Sequence, residues 1–192
     1  MVKVVVINGM PGSGKTTFEF ICQDLCNHGM PGFEDNKRLA VDICSTVDFV
    51  KQIAFKCGWD GTKTPENRRF LSDLKDLLVR WDDVPYKKIL EQVKQLSART
   101  WYIHFDWILF VDCREPAEIQ KLKERLNATT VLIRREEVEH GEVSNHSDAD
   151  VFYYDYNLTI YNNSDIIHLE DEARKFIEYM KKEEVPHYVN AD

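Results

Sequence analysis

The run VVVI at residues 4–7 leads through Asn8 into GMPGSGKTT at residues 9–17. Gly9 to Thr16 fits G-x-x-x-x-G-K-[ST], a spacing that works when a buried strand ends in a loop and a helix starts at once. Gly9, Gly12 and Gly14 let backbone N–H groups turn inward around an anion with no Cβ in the way. The helix that follows adds its positive N-terminal end. The spacing therefore predicts that Gly9, Met10, Pro11, Gly12, Ser13, Gly14, Lys15, Thr16 and Thr17 wrap the phosphates of ATP. Lys15 is placed to reach the β- and γ-phosphates, and the Thr16 hydroxyl to bind Mg²⁺.

The rest of the chain alternates strand and helix patterns. Strands are expected at 3–8, 38–44, 105–113, 128–134 and 156–162, and helices at 16–28, 46–57, 65–82, 85–98, 115–127 and 169–184. That alternation predicts an α/β fold: a five-stranded parallel sheet, order 2-3-1-4-5, covered by helices on both faces in three layers. The 192 residues suit one domain, 1–192, with a helical insert at 45–98 and a polar, lid-like segment at 134–154. A second MPG at 30–32 has no G-K-T behind it and reads as a turn.

A formal net charge of −8 argues against a nucleic-acid partner, which needs a basic footprint. No stretch approaches the roughly 20 apolar residues of a membrane span, so a soluble cytoplasmic protein, monomer or homodimer, is expected. The five cysteines form no C-x-x-C pair and read as buried free thiols, with Cys22 and Cys26 able to share a helix face.

Elimination narrows the chemistry. Asn36-Lys37 is followed by Arg38-Leu39, so there is no N-K-x-D base reader, and no LSGGQ-like signature occurs. A compact phosphotransferase remains. It needs Mg²⁺, cations outside the loop, and a segment that closes. ILFVD at 108–112 offers Asp112 as a second Mg²⁺ position, and Arg114 follows at the same strand end. Arg134 and Arg135 open the polar segment, which is also rich in Glu and Asp. On the helix at 64–81, Phe70, Leu74, Leu77 and Trp81 repeat as a single core stripe. That places Arg69 and Arg80 at its edge as acceptor-site candidates, with Arg68 and Lys75 turned to solvent. Lys51 could face the same acceptor, with Asp48 and Ser45 near it.

GMPGSGKT (9–16), the insert after the second strand, DCREP (112–116) and the segment after the fourth strand together resemble the nucleoside monophosphate kinase group of P-loop NTPase folds. Within it, CSTVDFVK (44–51), VRW (79–81) and VDCRE (111–115) are most similar to phage deoxynucleoside monophosphate kinases and animal-type phosphomevalonate kinases. The resemblance implies that Lys51, Arg80 and Arg114 handle the acceptor and the transferring phosphate. It also implies that DYNLTIYN (155–162) lies near the adenine. Glu115 stands where phosphomevalonate kinases carry a second arginine, so the mevalonate substrate is not implied.

The expected activity is Mg²⁺-ATP-dependent phosphoryl transfer to a small phosphorylated acceptor, a nucleoside or deoxynucleoside monophosphate. Two alternatives stay open: an ATP-binding accessory protein without transfer activity, and a kinase for a hydroxyl acceptor with Asp48 or Asp112 as base.

Overall fold

The computed structural model describes residues 1–27, 39–103, 105–139 and 151–182. The second MPG, the middle of the lid-like segment with its two histidines, and the last ten residues lie outside this set. The strands are β1 (Val2–Asn8), β2 (Leu39–Ser45), β3 (Asp106–Asp112), β4 (Thr129–Arg134) and β5 (Leu158–Tyr161). The helices are α1 (Lys15–Asn27), α2 (Asp48–Lys56), α3 (Pro65–Asp82), α4 (Val84–Ile103), α5 (Pro116–Leu126), α6 (Glu136–Glu139) and α7 (Ile166–Lys182).

All strands pair in parallel in the order β2-β3-β1-β4-β5, as the alternation predicts. Period-two side-chain direction divides the strand residues between two cores. Val5, Ile7, Phe110, Val131 and Ile133 pack under α1 and α7, against Phe18, Cys22, Phe176 and Ile177. Val4, Val6, Leu109 and Val111 face the other way, against Ile89, Val93 and Leu96 of α4 and Ile119 and Leu122 of α5. Phe18 is fully buried and meets Phe176 edge-on, with ring centroids 5.5 Å apart. Lys3, nearly buried on β1, donates to the Met180 carbonyl near the end of α7, where a cation complements the helix dipole.

Short-range chemistry explains the helix ends. Thr64 caps α3, its Oγ1 accepting from the Asn67 amide at 3.2 Å, and Pro65 takes the first position. Asp83 turns the chain from α3 into α4 with φ +49°.

Three expectations need correction. The α3 stripe is not a core stripe: Trp81 is 80% exposed, Leu77 55% and Phe70 39%. The inner face of α3 lies about 100° around the helix, at Leu71, Lys75 and Leu78. Lys75 therefore faces inward, pairing with Glu118 of α5 at 2.7 Å, rather than outward. The reason is that α3 carries two leucine-bearing rows and turns the one with Leu71, Lys75 and Leu78 toward its neighbours, leaving the row with the larger side chains outside. The positional logic for Arg69 and Arg80 fails with the stripe: Arg80 is exposed, and Arg69 is 84% exposed with only a 3.9 Å contact to Asp73. Of the cysteines, Cys57 is exposed, although Cys22, Cys44 and Cys113 are buried as expected. The polar segment opens with a helical turn, α6, at Glu136–Glu139.

Candidate nucleotide and acceptor site

In this strand order β1 lies between β3 and β4, and the connections from β1 and β3 leave in opposite directions. The crevice at their carboxyl ends is where open α/β sheets bind ligands. The loop fills it. Gly9 has φ +154°, and a Cβ there would lie 2.4 Å from the Ile133 carbonyl oxygen. Gly14 has φ +98°, and a Cβ there would lie 2.3 Å from Asn162 Nδ2. At Gly9 the backbone itself blocks a side chain, while at Gly14 the positive φ strains one and the end of Asn162 would have to move.

The loop is braced from both sides. Asn8 Oδ1 accepts from the Gly9 amide at 2.8 Å, and Asn8 Nδ2 donates to the Tyr156 hydroxyl at 2.8 Å. Tyr156 donates in turn to the Val151 carbonyl, and burial pushes its phenol up to about 12. Asn162 Nδ2 donates to the Ser13 carbonyl at 2.9 Å. Met10 packs with Leu132 and Val151 underneath. Lys15 Nζ donates to the carbonyls of Gly9 (2.7 Å) and Met10 (3.1 Å), poised over the centre of the loop.

Beside the loop lies a cavity of about 440 Å³ lined by Gly12, Gly14, Lys15, Thr16, Thr17, Arg135 and Asn162, among others. It holds the loop's cation and hydroxyl together with one arginine of the polar segment. A second recess of about 600 Å³ runs along α1 past Phe20 and Gln23, and contains neither Lys15 nor Thr16.

The other expected residues gather around Asp112. Its carbonyl accepts from the Thr46 amide (3.2 Å) and the Ser45 hydroxyl (3.3 Å), which ties the ends of β2 and β3 together. Burial lifts the Asp112 carboxyl above its ordinary value, while Lys15, Arg114 and Lys51 pull it back. Those three cations therefore share one electrostatic neighbourhood with it. Asp48 accepts from the Ser45 amide at 2.7 Å and lies 3.7 Å from Lys51 Nζ.

Arg134 and Arg135 sit where the sequence places them, but each is engaged within its own segment. Arg134 binds Glu139 through Nε (2.8 Å) and Nη2 (2.5 Å), which pushes the guanidinium's proton affinity up, and it stacks near Phe152 and Tyr161. Arg135 pairs with Glu137 at 2.5 Å.

Arg69 and Arg80 are reached through the insert. Lys75 pairs with Glu118 in the first turn of α5, and Asp83 with Lys121 at 3.0 Å in the second. Both contacts climb toward the end of β3, so Arg69 stands six residues, about 9 Å of helix, farther out over that edge. Arg80 lies between the two anchor points and faces outward.

Glu19 escaped the sequence reading. Glu19, one turn below Lys15 on α1, is 1% exposed, and its Oε1 has no hydrogen-bond partner. Burial first, then the nearby Asp112, pushes its carboxyl up to about 8, with Lys15 opposing and Asp48 adding. The signal was present in the spacing: Lys15, Glu19, Cys22 and Cys26 follow one helix face, the face on which buried thiols were expected. The bracing residues Asn8 and Asn162 were also missed, because strand-end amides carry no spacing signature.

The residues fit a Mg²⁺–nucleotide. Among the described residues no group of three or more His, Cys, Asp or Glu could hold a metal. An ion here would take its remaining ligands from phosphate and water, beside the exposed Thr16 and the acidic Asp112 and Glu19.

No protein-family model matches the chain, and no curated protein sequence matches it. Among solved structures it is similar to shikimate kinase from Bacteroides thetaiotaomicron (12% identity, 93% of this chain and 98% of that one, TM-score 0.43). It is also similar to thymidylate kinase from Ehrlichia chaffeensis (14% identity, 93% and 98%, TM-score 0.43). A third is a tunicamycin resistance protein from Deinococcus radiodurans (12% identity, 97% and 100%, TM-score 0.46).

Proposed function

We propose that the protein transfers the γ-phosphoryl group of Mg²⁺-ATP to a small phosphorylated acceptor, a nucleoside or deoxynucleoside monophosphate. The observation that carries this reading is the pairing of two cationic regions on either side of the loop. Lys15 and Arg135 share the nucleotide-sized cavity, and Arg114 and Lys51 flank Asp112 at the neighbouring strand ends.

In this reading the loop amides and Lys15 hold the β- and γ-phosphates, and Thr16 with Asp112 keeps the metal, directly and through water. A bound Mg²⁺ would supply charge neutralisation to the triphosphate. An acceptor phosphate oxygen attacks the γ-phosphorus as the bond to the β–γ bridging oxygen breaks, giving ADP and a diphosphate. The acceptor is already an anion, so no base is required. Arg114 and Lys51 align its phosphate, and Arg69 approaches from the overhanging end of α3. Arg80 serves the same acceptor only if α3 turns as the insert closes.

The self-pairing of Arg134 with Glu139 and Arg135 with Glu137 favours a second reading, an ATP-binding accessory protein whose lid arginines stay neutralised. A hydroxyl acceptor with Asp48 or Asp112 as base is a third. ADP release from Mg²⁺-ATP against ribo- and deoxynucleoside monophosphates and phosphomevalonate separates them. Stimulation by one nucleoside monophosphate, lost in Lys15→Ala, is the expected result. ATP binding with no stimulated release by any acceptor would overturn it.

A further inference from the structure

Glu19 has no part in the scheme above, yet it occupies a costly position. A buried carboxyl oxygen with no donor is expensive in any fold, and a leucine on that helix face would remove it. Asp112 and Asp48 further oppose its ionisation and Lys15 favours it. On the helix wheel Glu19 lies about 40° from Lys15 and about 60° from Thr16, one turn down, beneath the interval between the lysine and the hydroxyl. Its Oε1 is the orphaned atom.

We propose that Glu19 is a positioning residue for the hydrated divalent cation, its Oε1 accepting a hydrogen bond from a metal-bound water alongside Asp112. The inference rests on the reading that this loop binds a metal–nucleotide. It accounts for a buried carboxyl with an orphaned oxygen one turn below Thr16, although no described cluster holds a metal unaided. Acidic groups beyond the direct ligands orient bound water, and removing one typically weakens metal binding about 10- to 100-fold.

The test uses Mn²⁺ with a non-hydrolysable ATP analogue, reading metal affinity by electron paramagnetic resonance and metal-free nucleotide affinity by calorimetry. Glu19→Gln is expected to weaken Mn²⁺ binding about tenfold, and Glu19→Leu at least as much, with metal-free nucleotide affinity unchanged. Thermal melts verify that both variants fold, which the loss of a buried charge should favour. Wild-type Mn²⁺ affinity in both variants would overturn the assignment and leave the function intact. A parallel loss of metal-free nucleotide affinity would also overturn it, because Glu19 would then act through Lys15. Absence of any Mn²⁺-dependent binding in the wild type would overturn both readings.

Discussion

Asn162, just past the end of β5, donates to the Ser13 carbonyl at 2.9 Å and lies so close over Gly14 that a Cβ there would push the amide off this bond. The fifth strand, farthest along the sheet from β2, thus reaches back to shape the anion cradle. Asn162→Ala should lower stability by about 1 kcal/mol and weaken ATP binding. Gly14→Ala should weaken it more, since it adds a clash and an unfavourable positive φ. Calorimetric ATP titration with parallel melts checks both, and wild-type affinity in Gly14→Ala would contradict the geometry.

The Lys15 ammonium donates to the Gly9 and Met10 carbonyls and belongs to neither apolar core, so its loss should cost little stability and remove catalysis. Lys15→Ala is expected to reduce turnover by about 10²–10³-fold or more with a melting temperature near that of the wild type. Coupled ADP assays read the first and a thermal melt the second.

Glu19 gives the chain a pH signature. Its folded carboxyl holds its proton up to about 8 against an ordinary 4.5, so the favourable contribution is complete below about 4.5 and is lost as pH rises through 8. Wild-type stability should therefore fall relative to Glu19→Gln across that window, by at most about 1.4 kcal/mol per pH unit. Paired denaturant titrations from pH 4 to 9 would show the gap widening and then levelling off; a constant gap contradicts the assignment.

The exposed stripe of α3 and the buried face of α4 make a direct comparison. Trp81→Ser should change stability by less than about 0.5 kcal/mol, because the indole is 80% exposed. Ile89→Ala, at a position 3% exposed, should lose about 2–5 kcal/mol. Urea midpoints decide, and a large loss in Trp81→Ser would restore the core reading.

On the acceptor side, Arg69→Ala is expected to raise the acceptor KM by about 10- to 100-fold with little change in kcat. Arg114→Ala should lower kcat as well, since it lies beside Asp112. Steady-state kinetics with the acceptor found in the panel assay separate the two patterns.

The sheet was legible because its evidence is local and repeated. Apolar strands ending in turn residues, with helices between them, admit few topologies, and the loop marks which strand is central. The loop's backbone was legible because the glycine spacing marks where positive φ falls, and Gly9, Gly12 and Gly14 all adopt it. The α3 stripe misled because periodicity reveals that a helix has an apolar row but not which neighbour meets it. Here two leucine-bearing rows competed, and tertiary packing chose the one containing Lys75. Glu19 was hidden for the opposite reason: a charged residue between two phenylalanines looks solvent-directed until the fold turns it inward. Arg134 and Arg135 were placed correctly along the chain, while their pairing with Glu139 and Glu137 depends on the turn of α6, which the polar composition of the segment concealed.

Lys75–Glu118 joins α3 to the first turn of α5, and Asp83–Lys121 joins the residue after α3 to the second. The stretch of α3 beyond the first of these joints, with Arg69 on it, is an overhang of about 9 Å, and its joint sits on the helix that starts two residues after Arg114.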